Sequence, residues 1–178
     1  MYSRQLLESP AARRALLVTV AGELGRRIQV WRERYDAKHA GRLPPHLTVC
    51  YRPPTDAPLD GIEAQVRHGF HGPLTVRLGE VFVLAHREQP LAVQVLETEM
   101  LDAARRRLFD GTHVQMGGRD NWPWHITCVR YGYNKDRDAL LAAAATELCL
   151  NTAWTIDHVA LFELREGLWQ SLSEWRLF

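Results

Sequence analysis

Histidine takes and gives a proton near neutral pH without help from its surroundings, and two of the eight in this 178-residue chain stand in matching contexts. His46 lies in PPHLTVCY and His125 in WPWHITCVRY, each followed two residues later by a threonine, Thr48 and Thr127. Both strings are apolar and β-prone, so each predicts a strand in which residues i and i+2 share a face about 7 Å apart. His-x-Thr alone is a weak signal, since chance gives roughly half of one such triplet in a chain of this composition. Context carries its weight: an aliphatic residue between the pair (Leu47, Ile126) and a proline just ahead (Pro45, Pro123).

Two imidazoles that face each other divide the work of acid and base. Threonine hydroxyls beside them donate to the non-bridging oxygens of an anion. The reaction that fits is transfer at phosphorus: one histidine activates water or a ribose hydroxyl, and the other protonates the leaving oxygen. No metal is predicted, because the chain has no H-x-x-E pattern and no histidine pair at i, i+4. Arg130 is a candidate phosphate clamp, although regular alternation puts it on the face away from His125 unless a bulge or the strand end turns it. Tyr51, Tyr131, Tyr133, Trp122 and Trp124 crowd the motifs and are candidates for stacking a base. The other histidines (39, 68, 71, 86, 113, 158) lack a threonine partner and read as surface or core positions. Cys50 shares the face of His46 and Thr48 and reads as a small core filler. The arginine runs at 13–14, 26–27 and 105–107 read as solvated surfaces.

These residues need elements to hold them. ALLVTV (15–20) predicts a buried strand, 23–39 a helix with Leu24, Ile28, Trp31 and Tyr35 on one face, and 46–51 the first motif strand. A helix over 59–70 and a hairpin of 74–85 with 91–96 follow. The order then recurs: LAVQVL takes the part of ALLVTV, 97–109 is helical, a Gly-rich loop leads to the second motif strand at 124–131, and 135–150 is helical. Strands at 153–164 and 168–178 predict a closing hairpin. Opening strand to motif histidine is about 30 residues in both halves. The pattern predicts an α+β fold of two pseudo-twofold lobes, with two antiparallel-rich sheets around a central cleft and helices outside. Residues 1–178 form a single two-lobed domain in this reading, with residues 1–12 a loose lead-in, one lobe over about 13–85 and the other over about 90–178, and with strand exchange between them allowed. The motif strands would face each other across the cleft. Glycines in the loop Gly111–Asn121 would let it move over a ligand.

Composition bounds the rest. An apolar fraction of 46% and a charged fraction of 24% are ordinary for a globular protein. A formal charge of +1 gives no general pull on nucleic acid, so any nucleotide contact must be local. Three cysteines without C-x-x-C spacing argue against a disulfide framework and for a reducing, cytoplasmic setting. The apolar stretch Ala15–Ala21 is too short for a membrane span or a signal segment.

The paired motifs and the order of elements resemble the 2H phosphoesterase superfamily, and within it the 2'-5' RNA ligase/cyclic phosphodiesterase-like branch. YDAKHAGRLPPHLTVCY is similar to that family's lead into its first motif, WHITCVRY to its second, and LFELREGLWQSLSEWRL to its closing hairpin. Trp124 stands where proline usually precedes the second histidine, and Pro123 lies one place earlier. The resemblance implies catalytic roles for His46 and His125, phosphate binding by Thr48 and Thr127, and a basic side chain at Arg130. It implies cleavage of 2',3'-cyclic phosphates or 2'-5' linkages in RNA-like substrates. RNA ends or small cyclic-phosphate nucleotides are the expected substrates, and no cofactor, no membrane and no obligate protein partner is expected. The same machinery in reverse would join RNA ends. Two other readings stay open: a non-catalytic module that binds RNA ends or nucleotides, and an interaction domain on a decayed enzyme scaffold. Which histidine is the base is open as well.

Overall fold

A computed structural model describes residues 13–118, 121–130 and 136–178; the predicted lead-in at 1–12 lies outside them. In chain order the elements are β1 (Arg13–Thr19), α1 (Gly22–Tyr35), α2 (Ala37–Ala40), β2 (His46–Cys50), α3 (Leu59–Gly69), β3 (Leu74–Val83), β4 (Leu91–Leu96), α4 (Glu99–Leu108), β5 (His125–Val129), α5 (Arg137–Glu147), β6 (Thr152–Ile156), β7 (His158–Arg165) and β8 (Leu168–Arg176). The class is α+β, as the pattern predicts. All eight strands join one antiparallel sheet in the order β6-β3-β4-β5-β2-β1-β7-β8. The two expected sheets are thus two four-stranded halves of one sheet, joined where β2 meets β5. The motif strands do not face each other across a cleft. They are hydrogen-bonded neighbours at the centre, with Leu47 registered against Ile126.

Alternation decides which sheet face is dry. Leu16, Val18, Leu47, Val49, Val93 and Ile126 point to one side, where Ile28, Trp31, Ile62, Leu101, Leu108 and Leu140 of the helices close over them. The opposite face carries a smaller cluster of Ala15, Leu17, Ala160 and Phe162, with Leu43 and Trp169 at its edge. Burying a Leu- or Ile-sized side chain is worth about 1.5–3 kcal/mol, so the helix-covered face holds the fold together and leaves the other face for the site.

Two predicted elements break. The helix over 23–39 ends at Tyr35 because Asp36 leaves helical geometry, with φ −144° and ψ 48°. Its buried carboxylate then accepts from His39 Nδ1 at 2.8 Å and from the Arg130 amide at 2.8 Å, tying the α1–α2 joint to the end of β5. The strand over 153–164 breaks at Asp157. Before it Trp154 and Ile156 are buried, and after it Val159 and Leu161, so the inward parity changes from even to odd. Accordingly β6 pairs with β3 and β7 with β1, leaving only β7–β8 as the closing hairpin. Downstream, Asp136 caps α5 by accepting from the Ala139 amide at 3.1 Å. Among the described residues no helix is long and apolar enough to cross a membrane.

Gln65 on α3 is 0% exposed and spends both ends of its amide. Nε2 donates to the carbonyls of Arg107 and Leu108, and Oε1 accepts from the amides of His113 and Val114. The side chain thereby closes the end of α4 and starts the glycine-rich loop.

Candidate active site

Leu47 and Ile126 sit opposite each other on the helix side. One step either way along antiparallel strands places His46 beside Thr127 and Thr48 beside His125, all four on the open face. Opposed side chains are about 5 Å apart and diagonal ones about 7–8 Å, so the imidazoles take one diagonal of a small square and the hydroxyls the other. The next strands frame the square: Thr19 is registered with His46 and Leu17 with Thr48, while Gln94 is registered with His125 and Ala92 with Thr127.

Both rings are set the same way. His46 Nδ1 lies 2.7 Å from the Pro44 carbonyl and His125 Nδ1 lies 2.7 Å from the Pro123 carbonyl. A carbonyl only accepts, so each Nδ1 carries the hydrogen and each Nε2 keeps its lone pair. Burial pushes His46 down to about 4; its carbonyl bond opposes this, while the charges of Arg32 and His125 add to it. His125 is lowered too, by burial first, then by Arg105 and His86 against the opposing Pro123 bond. Each ring is therefore an uncharged base until an anion arrives to favour its cationic form.

A bulge follows each threonine. Leu17 pairs with Thr48 but Leu16 with Cys50, and Ala92 pairs with Thr127 but Leu91 with Val129. The extra residue reverses the parity of what comes next. Cys50 leaves the face of His46 for the core, where burial raises its thiol to about 12. Tyr51 and Arg130, each five residues beyond its histidine, come just past the strand ends and are exposed. Regular alternation would put Arg130 on the face away from His125, and the bulge with the strand end removes that constraint. Its guanidinium lies 3.6 Å from Glu88.

The aromatic expectations divide. Tyr51 is 47% exposed and meets Trp122 edge-on at 6.4 Å, and Trp122 lies 6.1 Å from the His125 ring. Trp124 is no stacking platform: it is 7% exposed, Arg105 lies 3.3 Å over its ring, and its Nε1 donates to Asp102 at 2.7 Å. Tyr131 and Tyr133 lie outside the described residues. A recess of about 450 Å³ beside His125 is lined by Phe82, Gln94, Thr98, Asn121 and Trp122, among others. The loop 111–121 is described except at 119–120. It is tied down at Gly117, whose amide donates to the Arg52 carbonyl at 3.0 Å and whose Cβ, were it present, would sit 2.6 Å from that oxygen. Among the described residues no three His, Cys, Asp or Glu side chains come together as metal ligands. The three cysteines are free thiols.

Sequence reasoning missed His86, Gln94, Arg32 and Arg105. His86 comes from the β3–β4 turn and stacks edge-on to Trp122 at 5.6 Å. Gln94 reads locally as the polar side of an ordinary alternating strand. Arg105 belonged to a run expected to be solvated yet is 5% exposed, and Arg14 of another such run bonds Glu163 at 2.9 Å.

One antiparallel sheet with a His-x-Thr strand from each half at its centre is the architecture of the 2H phosphoesterases. Residues 20–168 match the model of the 2'-5' RNA ligase superfamily, and the chain belongs to that family. No curated protein sequence matches it. Among solved structures it is similar to Escherichia coli LigT in its apo form (14% identity, 93% of this chain and 96% of that one, TM-score 0.55). It is also similar to a structure described as a phosphoesterase (14% identity, 93% and 98%, TM-score 0.53). A third is a conserved Agrobacterium tumefaciens protein of unknown function (16% identity, 90% and 84%, TM-score 0.52). At these identities the structural likeness establishes the fold.

Proposed function

We propose that this protein is a metal-independent phosphodiesterase that opens 2',3'-cyclic phosphates at RNA termini or in small nucleotides, in a cytoplasmic setting. The observation that carries the reading is the square of His46, Thr127, His125 and Thr48 on adjacent strands. A tetrahedral phosphate set over it meets an Nε2 on either diagonal corner and a hydroxyl on each of the others. One imidazole takes the proton of water as its oxygen bonds to phosphorus. The other delivers a proton to the ribose oxygen as the P–O bond breaks, leaving a phosphomonoester. Thr48 and Thr127 hold the non-bridging oxygens, where charge gathers, with Arg130 as a further donor at the rim. The recess beside His125 has room for a nucleoside, and Tyr51 and Trp122 offer ring faces. Nucleotide recognition is in keeping with Escherichia coli LigT, which has been solved with ATP and with NADP+. Run in reverse, the same groups would join RNA ends.

The test is turnover of 2',3'-cyclic mononucleotides and short RNAs, with product analysis and EDTA present. Product formation indifferent to chelator is expected. Loss of all activity with EDTA overturns the metal-free scheme, and calorimetric binding without product favours a binding module instead.

Thr48→Val and Thr127→Val are each expected to lower kcat about 10²-fold, the loss typical of one donor to a developing charge. A change confined to KM would instead mark uniform binding.

The pH profile has a definite sign. The base must be unprotonated and the acid protonated. One ring has been brought to about 4 and the other below its ordinary 6.5. Whichever ring is the acid, kcat/KM rises with pH through the lower value and falls above the higher. An optimum on the acid side of 6.5 is expected in steady-state kinetics, and one above pH 8 contradicts the assignment.

A further inference from the structure

The square is not the only thing repeated in the two halves. In each half of the chain a helix holds one buried arginine, Arg32 on α1 at 7% exposure and Arg105 on α4 at 5%. Arg32 Nη1 donates to the Leu43 carbonyl at 2.9 Å, and Arg105 Nη1 donates to the Trp122 carbonyl. Leu43 lies three residues ahead of His46, and Trp122 three ahead of His125. The next carbonyl in each case, Pro44 or Pro123, is the one that receives the imidazole Nδ1 hydrogen. The helix-to-histidine distance in sequence differs, 14 residues in one half and 20 in the other, so the match is one of space and not of local spacing. Burying a guanidinium is costly unless its donors are used, and a neutral side chain would fill either site more cheaply.

We infer that Arg32 and Arg105 are a matched pair of positioning residues, each clamping the peptide ahead of a motif histidine so that the following carbonyl fixes that imidazole's tautomer and aim. The inference rests on the reading of His46 and His125 as an acid–base pair. Each acts through a carbonyl and through its charge, and Arg105 also borders the recess beside His125. Among the described residues, the charges acting on His46 are Arg32 from α1 and His125 from β5. On its other flank Thr19 of β1 is neutral and is bonded to His158 of β7 at 2.7 Å. Around His125 they are Arg105 from α4, His86 from the β3–β4 turn and His46 from β2, with Gln94 of β4 neutral. Each arginine therefore places a positive charge next to its own imidazole, which holds the ring uncharged while the site is empty.

The experiment is a nitrogen-detected NMR titration of the imidazoles in the full chain, paired with kinetics, for Arg32→Gln, Arg105→Gln and the two Lys variants. Arg32→Gln is expected to raise the His46 midpoint well beyond that of His125, and Arg105→Gln to do the reverse. Each Gln variant should lose about 10- to 100-fold in kcat with KM within about threefold, the scale of a small misplacement of a reacting group. Lysine keeps the charge but not the planar fork, so each Lys variant should keep its midpoint and lose kcat several-fold. Gln variants with unmoved midpoints overturn the proposal. So do Gln variants that only melt earlier while each folded molecule turns over normally. Should the Gln variants not fold, Lys variants with undiminished kcat overturn it equally. If the wild-type chain turns over no cyclic phosphate, the functional reading fails alone, because midpoints and tautomers still report on the clamp.

Discussion

His46→Ala and His125→Ala are each expected to lower kcat on a 2',3'-cyclic nucleotide by about 10³- to 10⁴-fold, or roughly 4–5.5 kcal/mol of transition-state stabilisation. The imidazoles occupy one diagonal of a four-residue square, and the scheme has no second proton acceptor or donor to replace either. Groups that act as a unit are non-additive, so the double variant should fall little beyond the worse single one. KM should change far less, because Thr48, Thr127 and the aromatic rim remain. Single-turnover assays on variants shown to be folded by circular dichroism measure this. Near-normal turnover in both singles removes the acid–base scheme, whereas loss in only one leaves a single histidine with a proton role.

Gln65→Leu is expected to cost about 3 kcal/mol of stability, because it strands a set of buried backbone groups at once. The carbonyls of Arg107 and Leu108 lose a donor and the amides of His113 and Val114 lose an acceptor. Leucine matches glutamine in bulk, so the penalty is one of desolvation and not of a cavity. For a chain of this length that corresponds to a fall in Tm of about 6–12 °C. A melt within 2 °C of wild type would show that water reaches these groups. Gln65→Glu should cost at least as much, since it keeps an acceptor for the two amides but sets a buried carboxylate oxygen against the Arg107 and Leu108 carbonyls and Asp110 Oδ1.

The sequence made legible whatever depends on local alternation. The motif strands, the helices over 59–70 and 97–109 and the repeat of strand, helix and motif strand all follow from which residues must be apolar. His46 with Thr48 and His125 with Thr127 share faces because the period of a strand is two. What stayed hidden depends on pairing. Nothing local says that β2 and β5, 79 residues apart, are neighbours and not opposing walls. The bulges after Thr48 and Thr127 leave no compositional trace, yet they send Cys50 inward and free Arg130 from the face that regular alternation would give it. Nor does a buried arginine such as Arg105 look different from Arg106 beside it, because only packing separates a clamp from a solvated side chain.

The site sits where one half of the sheet is stitched to the other, with Leu47 against Ile126 as the stitch. Rungs between strands come in whole numbers, so the spacing of the two imidazoles cannot drift by fractions. It can be correct, or it can be off by a full rung, which would turn every working side chain toward the oil of the interior. The precision of the square is therefore inherited from counting, and neither half holds it until the two are in step.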